Sequence, residues 1–391
     1  MSARGVRYLI AGGGMTADAA VAGIREHDRD GSIAVIGAES DPPYKRPLLT
    51  KGLWSGDDES KVWLRTGEVA GVELITGRSV VSIDPSEHAA VDDAGETYRY
   101  EQLLLATGAT PREIPNTKSI VYFRTLADYR FVRERAVPGE RVVVIGGGFI
   151  GSEIAAALVG AGCEVTMVFP EPAIGWRLFP AELAQFVSRY YEERGVDVRH
   201  DETVSAADEF SVTLGSGTTL DANVVIAGVG VEPTTALGAE AGLAVDNGFV
   251  VDEYGHVEGQ TDIFAAGDVA NFPVSALGKR LRIEHEDHAR SHGRAVGANM
   301  AGANVPYDHL PFFYSDLFDL GYEAVGEVDS RQPRVEHWVE PNRKGVVASV
   351  DENGRPRGFL LWNTWDSVEV ARGLIRDGKP IESGTLASVF S

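Results

Sequence analysis

Arg141-Val142-Val143-Val144-Ile145-Gly146-Gly147-Gly148-Phe149-Ile150-Gly151 is the stretch that decides the fold. An apolar run closes on three glycines. A small-residue helix, Ser152–Ala161, is expected next, and a second apolar run, Glu164–Phe169, follows it. Strand, glycine turn, helix and strand make one βαβ unit. The spacing Gly146-x-Gly148-x-x-Gly151 is a dinucleotide fingerprint: its glycines permit a tight turn and close approach of a pyrophosphate, and the helix start offers N–H groups and a favourable dipole. Glu171 stands just past the second strand, where a carboxylate can accept both ribose hydroxyls and repel a 2′-phosphate.

The pattern occurs twice. Val6–Ala11 runs into Gly12-Gly13-Gly14, the helix Ala17–His27 follows, and Ser32–Gly37 leads to Glu39. The third fingerprint position is here Ala17, beside Gly12 and Gly14. One such match is a weak signal; two, each after a strand and before a helix, argue against ordinary turns. Two more apolar strands break into small-residue turns, Leu103–Pro111 with Thr107 and Gly108, and Val224–Pro233 with Gly230. Thr261–Asp268 is another strand, ending in Gly267-Asp268, and a helix from about His285 to Met300 is expected after it. Beyond Pro306, short strands at Ala324–Val328, Val335–Val339, Gly345–Val350 and Phe359–Trp362, then a helix at Ser367–Asp377, predict a small α+β domain.

Composition narrows the function classes. With 391 residues the chain suits two or three domains. Its net charge, 36 − 58 = −22, argues against a nucleic-acid backbone and against an anionic membrane surface. The one cysteine, Cys163, rules out a disulfide framework, a four-cysteine zinc site and a redox dithiol within the chain. No apolar run reaches the ~18 residues of a membrane span. The chain enters a strand by Val6, which leaves no room for a signal peptide, so a cytoplasmic location is expected.

Two dinucleotide sites followed by a terminal Gly-Asp form the pattern of flavoproteins that use a nicotinamide coenzyme. The sequence resembles the two-dinucleotide-binding-domain FAD/NAD(P)H oxidoreductases, in particular the apoptosis-inducing factors and the related bacterial ferredoxin reductases. The resemblance is carried by Pro43–Lys51, Ala106–Gly108, Gly146–Glu153, Phe169–Glu171, Gly267-Asp268, Glu284–His288, Phe313–Leu317, Gly321–Gly326 and Leu361–Asn363. It covers nearly the whole chain. The long C-terminal insertion of the animal apoptosis-inducing factor is absent. The fold class it implies is α/β, two Rossmann-like dinucleotide-binding domains plus a C-terminal α+β domain. FAD would occupy a domain made of 1–115 and 240–305, NAD a domain at 116–239, and 306–391 would form the tail.

The resemblance also implies roles. Gly12, Gly14 and Ala17 would hold the FAD pyrophosphate and Asp268 the ribityl–phosphate region. Thr107, Gly108 and Gly267 would complete that cradle. Arg46 and Lys51 would line FAD, with Lys51 near the flavin N5, and Arg124 is a further FAD candidate. The family acid at position 38 is replaced by Ala38, so Glu39 would bind the FAD ribose from a shifted position or not at all. Gly146, Gly148, Gly151, Glu171, Arg177 and Gly230 fall on the NAD side. Glu284, His285, Glu286 and Glu323 fall at the nucleotide interface. Phe149 either gates the nicotinamide or packs a helix. Tyr314 stands where the family usually has Trp beside the flavin, and keeps a stackable ring. Glu153, an acid in a small-residue helix, needs a partner, and Lys51 is the natural one. Lys51, Glu153, Phe149 and Tyr314 are thus the candidate catalytic residues.

Hydride would pass from NADH to the flavin with no protein nucleophile. No cysteine pair spaced by four residues follows the first βαβ unit, so the electrons must leave to an external acceptor. That acceptor is open among quinone, oxygen and a small iron–sulfur protein; the resemblance implies first a slow apoptosis-inducing-factor-like NADH oxidoreductase, and as the alternative an NADH:ferredoxin or rubredoxin reductase. A third reading is an NADH-sensing interaction protein. A homodimer promoted by NADH is left open as well. His285, His288 and His292 share a helical face, but the resemblance already assigns His285 to nucleotide, and no metal is expected.

Overall fold

The computed structural model describes residues 3–390. The chain divides into two compact units. The first takes in the chain through Arg46, Glu59–Thr110 and Glu232–Pro311. The second takes in Pro47–Asp58, Pro111–Val231 and the chain from Phe312 onward. Lys51 therefore belongs, by its contacts, with the second unit.

The first unit is built on a seven-stranded sheet. Its strands run Val72–Thr76, Ile33–Gly37, Arg4–Ala11 and Thr97–Leu105, all parallel. The last of these is shared along its length. Leu103–Leu105 pairs in parallel with Ile263–Ala265, while its start pairs with the antiparallel Ala89–Asp92, which continues to Val80–Asp84. Ile33–Gly37 is buried at every position, as a parallel strand covered on both faces requires. The fingerprint helix, Met15–His27, packs on the helix Glu286–Met300 with almost no side chain between them. A Cβ on Gly297 would lie 2.2 Å from the Ala20 carbonyl oxygen, and one on Gly293 would lie 2.5 Å from that of Thr16. The small residues that mark this helix in the sequence are there because backbone meets backbone.

The second unit repeats the motif. Asp197–Arg199, Glu164–Val168, Arg141–Ile145, Val224–Ala227 and Val121–Tyr122 form a parallel five-stranded sheet in that order. An antiparallel meander, Val204–Ala207, Ser211–Leu214 and Thr219–Asp221, closes over it. The C-terminal part is an antiparallel sheet ordered Phe312–Leu317, Leu320–Gly326, Pro356–Trp362, Lys344–Val350 and Arg334–Glu340. The helices Val368–Asp377 and Ser383–Val389 follow it. The strand Phe312–Leu317 and the final helix extend the α+β tail expected from the sequence. The architecture is α/β with two dinucleotide-type sheets and an antiparallel C-terminal sheet.

Candidate active site

The two glycine turns are built alike. Gly12 has φ +129° and Gly146 has φ +119°, where a side chain is strained. In each the missing Cβ leaves room for another backbone: it would lie 2.0 Å from the Ala106 carbonyl oxygen at Gly12 and 2.4 Å from that of Gly228 at Gly146. Gly14 and Gly148 are the extended residues that precede the two helices, and neither caps its helix with a side chain. A Cβ at either would meet nothing within 4 Å. Each helix thus starts without a side-chain cap, beside a glycine with open space at its Cβ position, which fits a diphosphate at both turns. The third positions differ for a reason. At Gly151 a Cβ would lie 2.0 Å from the Gly146 carbonyl oxygen, whereas the Ala17 methyl is fully buried in the core of the first unit.

Around the first turn, Thr107 Oγ1 donates to the Thr234 carbonyl (2.7 Å), and the Thr234 N–H donates to the Gly108 carbonyl (3.0 Å). Gly267, at φ +74°, would place a Cβ 2.2 Å from Thr16 Oγ1, and Asp268 follows in a short 3-10 turn. Glu39 is already engaged: its carboxylate pairs with Arg46 and accepts the Tyr44 hydroxyl (2.6 Å). Arg46 also donates to the Tyr44 oxygen (2.8 Å) and feels the charge of Asp268. Glu284 pairs with Arg282 (2.6 Å), which also donates to the Asp268 carbonyl. His285 precedes the helix Glu286–Met300 without capping it, and burial pushes its pKa down to about 4. Glu286 pairs with Arg290 one turn on (3.5 Å).

His288 and His292 are core residues. His288 stacks on Phe272 with ring centroids 4.5 Å apart, and His292 stacks on Tyr307 at 4.5 Å. Nδ1 of His292 accepts the Gly267 N–H (3.3 Å), and burial lowers this imidazole to about 3. Among the described residues, no three His, Cys, Asp or Glu side chains converge on a metal position.

In the second unit Glu153 is 2% exposed and Lys51 14%, and the two are ion-paired. The carboxylate takes two further donors, Thr50 Oγ1 at 2.5 Å and Ser315 Oγ at 2.7 Å. A buried carboxylate with three donors is a satisfied one. The Lys51 ammonium lies 5.1 Å from the Tyr314 ring centroid and 5.9 Å from that of Phe149, with Asp316 at 3.6 Å. Phe149 meets Phe313 edge-on at 5.8 Å. All four candidate catalytic residues are therefore brought together. Thr50, Phe313 and Ser315 join them; they lie in segments that carry the family resemblance, but nothing in the sequence assigns them a role at the site. Glu323 sits opposite Tyr314 in the C-terminal sheet. Its Oε2 is buried without a hydrogen-bond partner, and burial, then Asp366, raises its carboxyl above the usual range.

Glu171 follows the strand Glu164–Val168, and its carboxylate pairs with the exposed Arg177 at 3.1 Å. Gly230, at φ +94°, accepts the Arg112 N–H (3.0 Å). Arg124 lies just before Thr125, the capping-box residue of the helix Leu126–Arg135, and its N–H donates to Asp128 (3.0 Å). Cys163 is buried, and burial pushes its thiol up.

Two glycine turns that open helices, a buried cation–carboxylate pair among aromatic rings and no second cysteine fit a two-nucleotide oxidoreductase without a disulfide relay. Residues 6–293 match the pyridine nucleotide-disulphide oxidoreductase model, and 296–357 match that of the C-terminal domain of mitochondrion-associated apoptosis-inducing factor. Mitochondrial apoptosis-inducing factor 1 of Dictyostelium discoideum is 31% identical over 96% of this chain and 79% of its own. The ferredoxin–NAD(+) reductase component of the anthranilate 1,2-dioxygenase system of Burkholderia cepacia is 33% identical over 95% and 94%. The crystal structure of the covalent putidaredoxin reductase–putidaredoxin complex superposes with a TM-score of 0.90 at 28% identity, covering 98% of this chain and 96% of that one.

The chain belongs to the pyridine nucleotide-disulphide oxidoreductase family. It is an FAD-dependent NADH oxidoreductase, and with a single cysteine it passes electrons to an external acceptor. No helix among the described residues is long and apolar enough to cross a membrane.

Proposed function

We propose that this protein is an NADH-specific reductase whose acceptor is a small iron–sulfur protein of the ferredoxin type. The likeness to the Burkholderia cepacia reductase component carries this reading, because it runs almost end to end in both chains. FAD, when bound, would supply the two-electron to one-electron chemistry that links NADH to such an acceptor.

The protein groups divide the work. Gly12, Gly14 and Ala17 seat the FAD diphosphate, with Thr107, Gly108, Gly267 and Asp268 around it, and Gly146, Gly148 and Gly151 seat that of NADH. Arg46 and Arg124 are assigned to FAD. Glu39 is left out of ribose binding, since Arg46 and Tyr44 occupy its carboxylate. Glu171 receives the adenosine ribose and disfavours a 2′-phosphate. Lys51, fixed by Glu153, supplies positive charge for the reduced flavin, and the start of the helix Glu286–Met300, with Glu284 and His285, adds its dipole. Phe149 and Tyr314 supply the aromatic rings near the Lys51 ammonium. Glu323 and Gly230 belong to the NADH side. A cytoplasmic setting and a homodimer promoted by NADH are part of the same reading.

The match of 296–357 to the apoptosis-inducing factor C-terminal domain favours a second reading, a slow NADH-sensing protein that binds a partner when reduced. Anaerobic reduction with NADH, then reoxidation by a ferredoxin, a quinone or oxygen, tests the choice. Fast turnover with the ferredoxin alone supports the first reading. Slow turnover with every acceptor, with a size change on reduction, supports the second.

A further inference from the structure

The loop Glu171–Pro180 carries both Glu171 and Arg177, and its backbone is pinned from three sides. The Gly175 N–H donates to the Gly147 carbonyl of the fingerprint turn (2.8 Å), and the Ile174 N–H donates to Ser188 Oγ of the helix Ala181–Glu192 (2.9 Å). The third side is a single residue of the C-terminal sheet. Ser330 Oγ donates to the Trp176 carbonyl (2.7 Å), and the Ser330 N–H donates to the Arg177 carbonyl (3.0 Å). Ser330 lies between the strands Leu320–Gly326 and Arg334–Glu340, in a turn that holds its own shape. There Asp329 accepts the Arg331 N–H (2.9 Å) and pairs with the Arg331 guanidinium (2.6 Å), and the Gln332 N–H donates to the Asp329 carbonyl (3.0 Å).

These bonds fix the Arg177 backbone while its side chain remains 86% exposed beside Glu171. Such a guanidinium is either masked by the carboxylate or free to clasp an anion, and its anchor decides which. We infer that Ser330 is a positioning residue for coenzyme choice: it latches Trp176 and Arg177 so that Arg177 stays on Glu171 rather than on a 2′-phosphate. This rests on the reading that Glu171 receives the adenosine ribose. It also makes the C-terminal domain a contributor to NADH recognition, through one turn.

Ser330→Ala and Ser330→Thr holoenzymes, with Glu171→Ala alongside, test the latch. Calorimetry with ADP-ribose and with its 2′-phosphate reads affinity, and hydrogen exchange of the amides at 175–178 reads the loop. One lost hydrogen bond predicts that Ser330→Ala weakens ADP-ribose binding about three- to tenfold. Its preference over the 2′-phosphate narrows, exchange at 175–178 speeds up, and KM for NADH rises by a larger factor than kcat falls. Ser330→Thr, which keeps the hydroxyl, restores most of the affinity. Wild-type affinity and exchange in Ser330→Ala would overturn the latch. If Glu171→Ala keeps the preference against the 2′-phosphate, the ribose reading fails by itself. The latch then still stands on weaker ADP-ribose binding and faster exchange in Ser330→Ala.

Discussion

Lys51 and Ser315 share one acceptor: the ammonium of the first and the hydroxyl of the second both donate to Glu153 Oε1. Removing either leaves a carboxylate that is 2% exposed with fewer donors, and water cannot readily replace them.

Lys51→Ala is therefore expected to slow flavin reduction by NADH and to lower the flavin potential. Breaking a buried pair from one side costs about 3–5 kcal/mol, against ~0–1 kcal/mol for a surface pair. Stopped-flow reduction and spectroelectrochemistry of Lys51→Ala, Glu153→Ala and the double variant would measure it. Strongly non-additive losses place the pair in the reaction, whereas three unchanged rates and potentials reduce it to structure.

NADH should be used at a much higher kcat/KM than NADPH. Glu171→Ala should narrow the gap by about one to three kcal/mol, the range for an unpaired polar contact. A wild type that prefers NADPH contradicts the role given to Glu171.

The two fingerprints should respond oppositely to their third residue. Gly151→Ala drives a methyl to 2.0 Å from the Gly146 carbonyl oxygen, so the turn must open. NADH affinity should fall at least tenfold, with stability lost on the scale of overpacking, about 1–3 kcal/mol. Ala17→Gly should cost only about 1 kcal/mol as a helix substitution, with FAD retained. Calorimetric titration and thermal melts separate these outcomes.

Acid should destabilise the first unit through His292. Its imidazole is neutral in the fold, with pKa lowered by burial from 6.5 to about 3, so below pH 6.5 the unfolded chain binds the proton and the native one does not. Its contribution is complete above pH 6.5 and is lost as pH falls toward 3. The slope from this one group is at most about 1.4 kcal/mol per pH unit. Urea melts between pH 7.5 and 4.5 would show it, and His292→Phe should remove one group's share of the slope, since burial lowers His285 and His288 in the same direction. An equal slope in that variant would assign the acid response to other groups.

Much of this molecule is legible because backbone geometry demands particular residues. Gly12 and Gly146 must have φ near +120°, and Gly14 and Gly148 must leave the helix starts open, so both fingerprints stand out in the sequence. Glu153 is legible as an acid that cannot be buried alone. Its other donors are not, because Thr50 and Ser315 reach it only through tertiary packing. The strand Phe312–Leu317 that carries Ser315 starts with three consecutive aromatics and lacks a period of two. Ser330 was equally silent, for its partners are main-chain carbonyls that leave no mark on the sequence.

The seam between the helices Met15–His27 and Glu286–Met300 has one more consequence. Thr16 faces Gly293 and Ala20 faces Gly297, so both helices run in the same direction at backbone contact. Their positive ends lie toward the same side, and two aligned dipoles that close repel each other. The glycine packing holds this arrangement in place, and an anion at the start of Met15–His27 would relieve it. With the FAD diphosphate seated at that start, as proposed, loss of the flavin is expected to loosen the helix pair before the sheet, which hydrogen exchange of the two helices in apoprotein and holoprotein would show.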